Sequence, residues 1–195
     1  MYLGDIFARG MESLSATAYV ILGMVREGPR SGYEIKATVD GTTRFFWAAS
    51  YGQIYPELKR LAEAGLVVGS DVPTGGRRRT VYEITAGGEE ELKAWLRRPP
   101  ETYEMREEGL LKLFFAGAME PDEAVAILRA MRAHRLAGNA QLRQMKPMAE
   151  ERAAAEGDPY PLLVLEGGLE FTQWFADWCG RVEEQVRERA KAAKA

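Results

Sequence analysis

Two short segments constrain this chain more than anything else in it: Ser31-Gly32-Tyr33-Glu34 and Ser50-Tyr51-Gly52-Gln53. Each has the form S-x-x-E/Q, in which the serine oxygen accepts from the amide three residues on and the Glu or Gln side chain reaches back. Both therefore open helices, and the apolar spacing around them places three. Leu14, Ala18, Ile21, Leu22 and Val25 recur at helical intervals up to Gly28-Pro29, which predicts a first helix over about 13–27. A tight turn leads to the second, from Ser31 toward Gly41. The third, over about 51–64, carries Ile54, Leu58 and Leu61 on one face and stops at Gly65. Pro56 is a discord inside it, since a proline past the first turn costs about 3 kcal/mol or more; the helix is expected to bend there or begin later.

Strand formers follow. Leu66-Val67-Val68 and Arg79-Thr80-Val81-Tyr82-Glu83-Ile84 flank the turn residues Pro73-Thr74-Gly75-Gly76, the pattern of a β-hairpin. Thr85 caps a further helix through Leu92, Trp95 and Leu96, although Gly88 stands where a capping box would want Glu or Gln. Three helices, a hairpin and a closing helix are the parts of a winged helix-turn-helix domain, and Pro99-Pro100 is a boundary after it. The expected fold is mainly α with a small β-hairpin wing: an N-terminal winged helix-turn-helix domain over 1–98 and a C-terminal helical domain over 99–195.

In the second half, Glu107 to Ala118 holds Leu110, Leu111, Leu113, Phe114 and Phe115, dense enough in apolar groups to need cover on more than one side. Pro121-Asp122-Glu123 starts a helix that Val125, Leu128, Met131, Leu142 and Met145 continue to Pro147. Ala149 to Gly157 reads as helix or solvated connector, and a last helix spans about Pro161 to Arg189. Along it Leu165, Gly168, Thr172, Phe175, Cys179, Val182 and Val186 fall at alternating spacings of three and four, widened by Leu162, Phe171, Trp174 and Trp178. Gly167-Gly168 weakens the helix by about 1 kcal/mol per glycine relative to alanine, and such small residues sit where another helix crosses closely. That face is too apolar for water, and a helix partner for it is implied.

Composition narrows the function. A formal net charge of -3 and a sequence pI near 5.5 do not announce a nucleic-acid binder, but the charge is unevenly spread. Residues 1–98 carry 13 Lys+Arg against 12 Asp+Glu (+1), and residues 99–195 carry 13 against 17 (-4). If the chain binds DNA, the first half is the expected DNA-facing one. Cys179 and His134 are solitary, so neither an internal disulfide nor a zinc site is expected, and no cofactor is implied. No apolar run reaches membrane-spanning length and Met1-Tyr2-Leu3-Gly4-Asp5 lacks a basic signal start, so a cytoplasmic protein without membrane contact is expected. No nucleophile-base-acid set or phosphate loop appears, which argues against an enzyme.

Taken together, Ser31-Gly32-Tyr33-Glu34-Ile35, Ser50-Tyr51-Gly52-Gln53-Ile54-Tyr55-Pro56-Glu57-Leu58-Lys59-Arg60-Leu61, Gly65-Leu66-Val67 and Arg78-Arg79-Thr80-Val81-Tyr82-Glu83-Ile84-Thr85 resemble the PadR family of transcriptional regulators, Tyr55-Pro56 included. The second half resembles, more loosely, the longer helical branch of that family, in Lys112-Leu113-Phe114-Phe115 and the terminal helix. The resemblance implies homodimers made through C-terminal helices, which makes 99–195 the dimerisation domain and the stripe Leu165, Gly168, Thr172, Phe175, Cys179, Val182 and Val186 the expected dimerisation seam; it also implies repression of nearby genes and, in some members, relief by small aromatic or hydrophobic compounds.

On this reading the third helix reads double-stranded DNA. Its polar face carries Ser50, Gln53, Lys59 and Arg60; Gln53 can pair bidentately with adenine in the major groove, while the bland reading makes it a capping residue. Ser50 and Tyr51 approach phosphates at the positive end of the helix. Tyr55 is either a contact or core. Arg77-Arg78-Arg79, with Thr80, forms a positive wing tip able to straddle phosphates, strand alternation turning at least one arginine away. Tyr33 and Lys36 are phosphate contacts by the resemblance. Trp95, Trp174, Phe175 and Trp178 are candidates to stack an aromatic effector, against the plainer reading as core. A homodimer would meet a near-palindromic operator. The competing reading is a winged-helix module that holds a protein partner and never touches DNA, which the acidic pI favours.

Overall fold

A computed structural model describes residues 14–28, 30–74, 77–101 and 105–192, with only the backbone of Thr74, Arg77 and Arg78. The chain divides into two compact units, Met1–Thr102 and Tyr103–Ala195. The segment Met1 to Asp5, the wing glycines Gly75 and Gly76 and the last residues of the C-terminal tail lie outside the described residues.

In the first unit α1 (Ala16–Arg26) starts at Ser15, whose Oγ accepts from the Ala18 amide at 3.1 Å and donates to Glu57 Oε1 at 2.8 Å. Next come β1 (Arg30–Ser31), α2 (Gly32–Gly41), a 3-10 turn (Thr43–Phe45) and α3 (Tyr51–Glu63). Both S-x-x-E/Q segments form reciprocal capping boxes, at Ser31 with Glu34 and at Ser50 with Gln53. Pro56 neither delays nor ends α3, which is one element around it. The donor it lacks would have served the carbonyl of Gly52, an exposed residue where water can take the bond. Gly65 leaves α3 in the left-handed region at φ +70°, and the Leu66 amide closes back on the Leu61 carbonyl at 2.9 Å.

The hairpin is longer than the strand formers alone suggest: β2 (Val67–Thr74) and β3 (Arg77–Ile84) pair antiparallel throughout, so that Pro73 and Thr74 belong to a strand, opposite Arg78 and Arg77. The two-residue β1 adds to the other side of β3 in the order β1-β3-β2, at Arg30↔Tyr82 and Ser31↔Val81. α4 (Ala86–Leu96) starts at Thr85, whose Oγ1 accepts from the Gly88 amide at 3.1 Å. Gly88 has no capping side chain because none fits; a Cβ there would lie 2.1 Å from the Leu66 carbonyl oxygen. Ile21, Leu22 and Val25 of α1, Ile35 and Val39 of α2, Ile54, Leu58 and Leu61 of α3 and Leu92 of α4 form the core.

The second unit comprises α5 (Glu108–Phe114), a 3-10 turn (Ala116–Ala118), α6 (Pro121–Glu156) and α7 (Tyr160–Ala192). α6 continues through the exposed Pro147, so Ala149 to Glu156 is helix and not connector. The expected cover for the α5 region is partial. Leu110 and Leu113 pack on the α6–α7 core, whereas Leu111, Phe114 and Phe115 are exposed, Phe114 by 81%.

The expected dimerisation stripe is spent inside the chain. Leu165, Thr172, Phe175 and Cys179 are buried, Val182 and Val186 pack on the cluster that holds Leu128 and Met131 of α6, and Gly168 lies against Leu142. Asn139 of α6, buried, donates to Thr172 Oγ1 at 2.8 Å and to the Leu169 carbonyl at 2.9 Å, fixing the register of the two helices. The physical reason is proximity: α6 returns directly into α7 and buries the stripe before another molecule can. A second stripe, Tyr160, Val164, Gly167, Phe171 and Trp174, also alternates four and three along α7 but on an adjoining face. Tyr160, Val164, Phe171 and Trp174 are exposed, and a Cβ on Gly167 would meet open space.

Candidate nucleic-acid interface

The first turn of α2 joins the two parts of the expected DNA-facing surface. On one side it receives α3: the Tyr55 ring lies over Gly32 so closely that a Cβ there would stand 2.7 Å from Tyr55 Cε1. On the other it receives the wing, where Arg79 Nη1 donates to Glu34 Oε1 at 3.0 Å. The α3 N-terminus and strand β3 are thus held to one short segment. Tyr55 is neither core nor free, since it stays half exposed and stacks with Tyr51 at 6.1 Å between centroids.

Gln53 performs the bland role in this structure. Its Oε1 accepts from the Ser50 amide at 2.9 Å and from Ser50 Oγ at 3.0 Å, while the side chain as a whole remains exposed. The carboxamide nitrogen is the remaining donor, so a bidentate pair with adenine requires Oε1 to leave the cap. Ser50 and Tyr51 are exposed at the same helix end, where the orphan amides favour an anion.

Among the described side chains, the candidate cations Lys36, Lys59, Arg60 and Arg79 are paired with carboxylates. Lys36 is largely covered, bonds Asp40 and has its ammonium 5.6 Å from the Tyr51 ring centre. That bond, with Arg44 on the other carboxylate oxygen, lowers the Asp40 pKa. Lys59, 79% exposed, reaches Glu63 only loosely at 3.7 Å, and Arg60 reaches Glu57 at 3.3 Å. Thr80 Oγ1 donates to Asp71 across the hairpin at 3.0 Å. Glu34 has a lowered pKa, because the Ser31 amide, then the Ser31 hydroxyl, and Arg79 all stabilise its charged form. Tyr33 is exposed on α2. The side chains of Arg77 and Arg78 lie outside the described residues, although their backbone closes the hairpin next to Pro73 and Thr74.

The spacing of Lys36 to Asp40, Lys59 to Glu63 and Glu57 to Arg60 is legible in the sequence, being the i,i+4 and i,i+3 pairs of a helix. Glu34 with Arg79, 45 residues apart, is not.

The aromatic candidates separate. Trp95 stacks on Tyr19 at 4.5 Å and keeps an exposed edge; Tyr19 in turn bonds Glu91 at 2.8 Å. Trp174 is 54% exposed and Trp178 is half-buried. Phe175 is a correction: at 2% exposure, under the guanidinium of Arg135 at 4.5 Å, it offers no face to an effector. Sequence reasoning missed Arg135, which bonds Glu107 and lies between α6 and the α7 aromatics. Cys179 is buried, and its thiol pKa is raised by that burial. Among the described residues no three His, Cys, Asp or Glu side chains form a metal-binding group, and no helix is long and apolar enough to cross a membrane.

A capped third helix set after a turn against a second, with a hairpin wing beside them, defines a winged helix-turn-helix domain. The model of the transcriptional regulator PadR-like family matches residues 21–94, and that of the Virulence activator alpha C-term matches residues 105–187. The negative transcriptional regulator PadR of Bacillus subtilis (strain 168) is 30% identical over 166 residues, spanning 82% of this chain and 91% of that protein. Bacillus subtilis PadR in complex with operator DNA superposes with a TM-score of 0.79 at 27% identity, covering 90% of this chain and 99% of that one. The same regulator in complex with p-coumaric acid gives 0.68 at 26% identity, covering 91% and 99%. The chain belongs to the PadR-like family of transcriptional regulators.

Proposed function

We propose that this protein is a cytoplasmic homodimeric repressor that places the N-terminus of α3 in the major groove and the wing on the flanking backbone, and acts by binding alone, without catalysis or cofactor. The observation that carries this reading is the joint anchoring of α3 and β3 on the first turn of α2, through Tyr55 on Gly32 and Arg79 on Glu34. Ser50, Tyr51, Gln53, Tyr55, Lys59 and Arg60 are the proposed contacts on α3, with Arg77, Arg78 and Thr80 on the wing and Tyr33 and Lys36 on α2. Two copies would reach half-sites about one DNA turn, roughly 34 Å, apart, and so a near-palindromic operator. The first unit is the DNA-binding domain on this reading and the second the dimerisation domain.

The dimer uses the second α7 stripe together with the exposed α5 aromatics, because the first stripe already packs on α6. Exposed apolar side chains in such a run need cover, and a second copy supplies it at matching register. An aromatic effector is proposed in the second unit by analogy with the p-coumaric acid complex of the Bacillus subtilis regulator.

The test is a gel shift of the full chain on DNA from upstream of its own gene. A discrete complex that survives competitor DNA supports the reading. A salt-labile smear alone would support a winged-helix module for a protein partner instead.

A further inference from the structure

The wing loses its third strand before it ends. β1 pairs with β3 only at Arg30↔Tyr82 and Ser31↔Val81, after which the chain turns into α2. Beyond that point the hairpin, Asp71↔Thr80 to Thr74↔Arg77, is a two-stranded ribbon. Such ribbons are marginal by themselves and twist more than wider sheets, so the angle of this one to α3 has to be set by a contact from outside the hairpin.

Glu34 makes that contact. Its Oε2 accepts from the Ser31 amide and from Ser31 Oγ, each at 2.8 Å, and Ser31 is the residue where the β1 pairing stops. Its Oε1 accepts from Arg79, the second β3 residue of the unsupported ribbon. One carboxylate therefore continues the lateral support of the wing past the end of the strand, from a base fixed by two short bonds. The Tyr55 ring packs on Gly32, in the same turn, so the segment that holds the wing also holds the reading helix.

We propose that Glu34 is the positioning residue of the wing: it fixes the ribbon relative to α3, and Arg79 is spent on this contact instead of on a DNA phosphate. The proposal rests on the DNA-binding reading above. It divides the arginine run by role, because only the residues nearer the turn then supply charge to the backbone of the operator.

Operator binding by the full chain, followed by fluorescence anisotropy across a salt series, tests it with Glu34→Gln, Arg79→Met and the double variant. Glu34→Gln keeps an oxygen for the Ser31 amide and removes the ion pair. Each single variant is expected to weaken binding by the same factor, about two- to fivefold for a partly exposed pair, and the double variant by no more than either. The slope of log affinity against log salt stays at the wild-type value, and Arg79→Lys recovers most of the loss. If Arg79 instead touches phosphate, Arg79→Met flattens the slope by about 0.9, and Glu34→Gln tightens binding by freeing the guanidinium. Either result, or additive losses in the double variant, overturns the inference while leaving DNA binding in place. A wild-type protein that forms no specific complex overturns both. Melting curves of the variants separate a misplaced wing from an unfolded domain.

Discussion

Gln53 is asked to do two things with one carboxamide, and Gln53→Glu separates them. In the free protein Oε1 accepts two bonds from Ser50, at 2.9 and 3.0 Å, and a carboxylate oxygen accepts both equally well. Placed in the first turn of α3, the new charge also meets the positive end of the helix, worth about 0.3–1 kcal/mol. Stability should therefore hold or rise slightly. Gln53→Ala loses the box at a cost of about 1 kcal/mol, which lowers the melting temperature by about 4–8 °C in a domain of this size. On DNA the order reverses. Gln53→Ala forfeits one bidentate base contact, about 1–3 kcal/mol or roughly 5- to 150-fold, mainly at one base position. Gln53→Glu loses the amide donor as well and sets an anion against the phosphates, so it binds more weakly than the alanine variant on every sequence. Melting curves and anisotropy titrations on the operator and on single-base variants read both effects. A Gln53→Glu variant that is as stable as wild type and binds the operator as tightly would refute the reasoning.

Four further outcomes are expected. Arg78→Ala lowers affinity across sequences and reduces the salt slope by about 1, read from binding in a salt series; an unchanged slope removes this arginine from the phosphate contacts. Trp174→Asp, on the exposed α7 stripe, leaves the helices folded and turns the dimer into a monomer in sedimentation, whereas a charge at the buried Cys179 should unfold the second unit. Gly88→Ala forces a Cβ to 2.1 Å from a backbone oxygen and destabilises the first unit by about 1–3 kcal/mol in chemical denaturation; a neutral result would mean that α4 can shift away from Leu66. The lowered pKa of Glu34 means that its contribution is present above the unfolded-state value and lost as pH falls through the folded one. Acid should therefore loosen the wing only below the ordinary carboxylate range, and Glu34→Gln should remove that part of the pH dependence of stability.

Much of the first unit is legible in order, because its signals are local. A serine three residues before Glu34 or Gln53 caps its own helix, and Gly65 ends α3 by a conformation that needs no distant partner. The hairpin strands can be recognised by composition, but their length cannot: Pro73 and Thr74 look like turn residues and become strand only through pairing with Arg78 and Arg77. The two residues of β1 carry no signal of their own and exist because β3 passes beside them. Gly88 reads as a weak cap along the chain, and only the Leu66 carbonyl packed against it explains the missing side chain.

What the amino-acid order determined alone was the set of helices, the hairpin, the basic wing and the apolar surfaces of α7, since each depends on neighbours within a few residues. Tertiary structure decided which stripe is spent on α6 and which stays open, that Phe175 lies beneath Arg135, and that Glu34 takes Arg79 from across the domain. Periodicity shows that a face must be covered but does not name the cover; that choice belongs to chain return and distance in space, which no local pattern encodes.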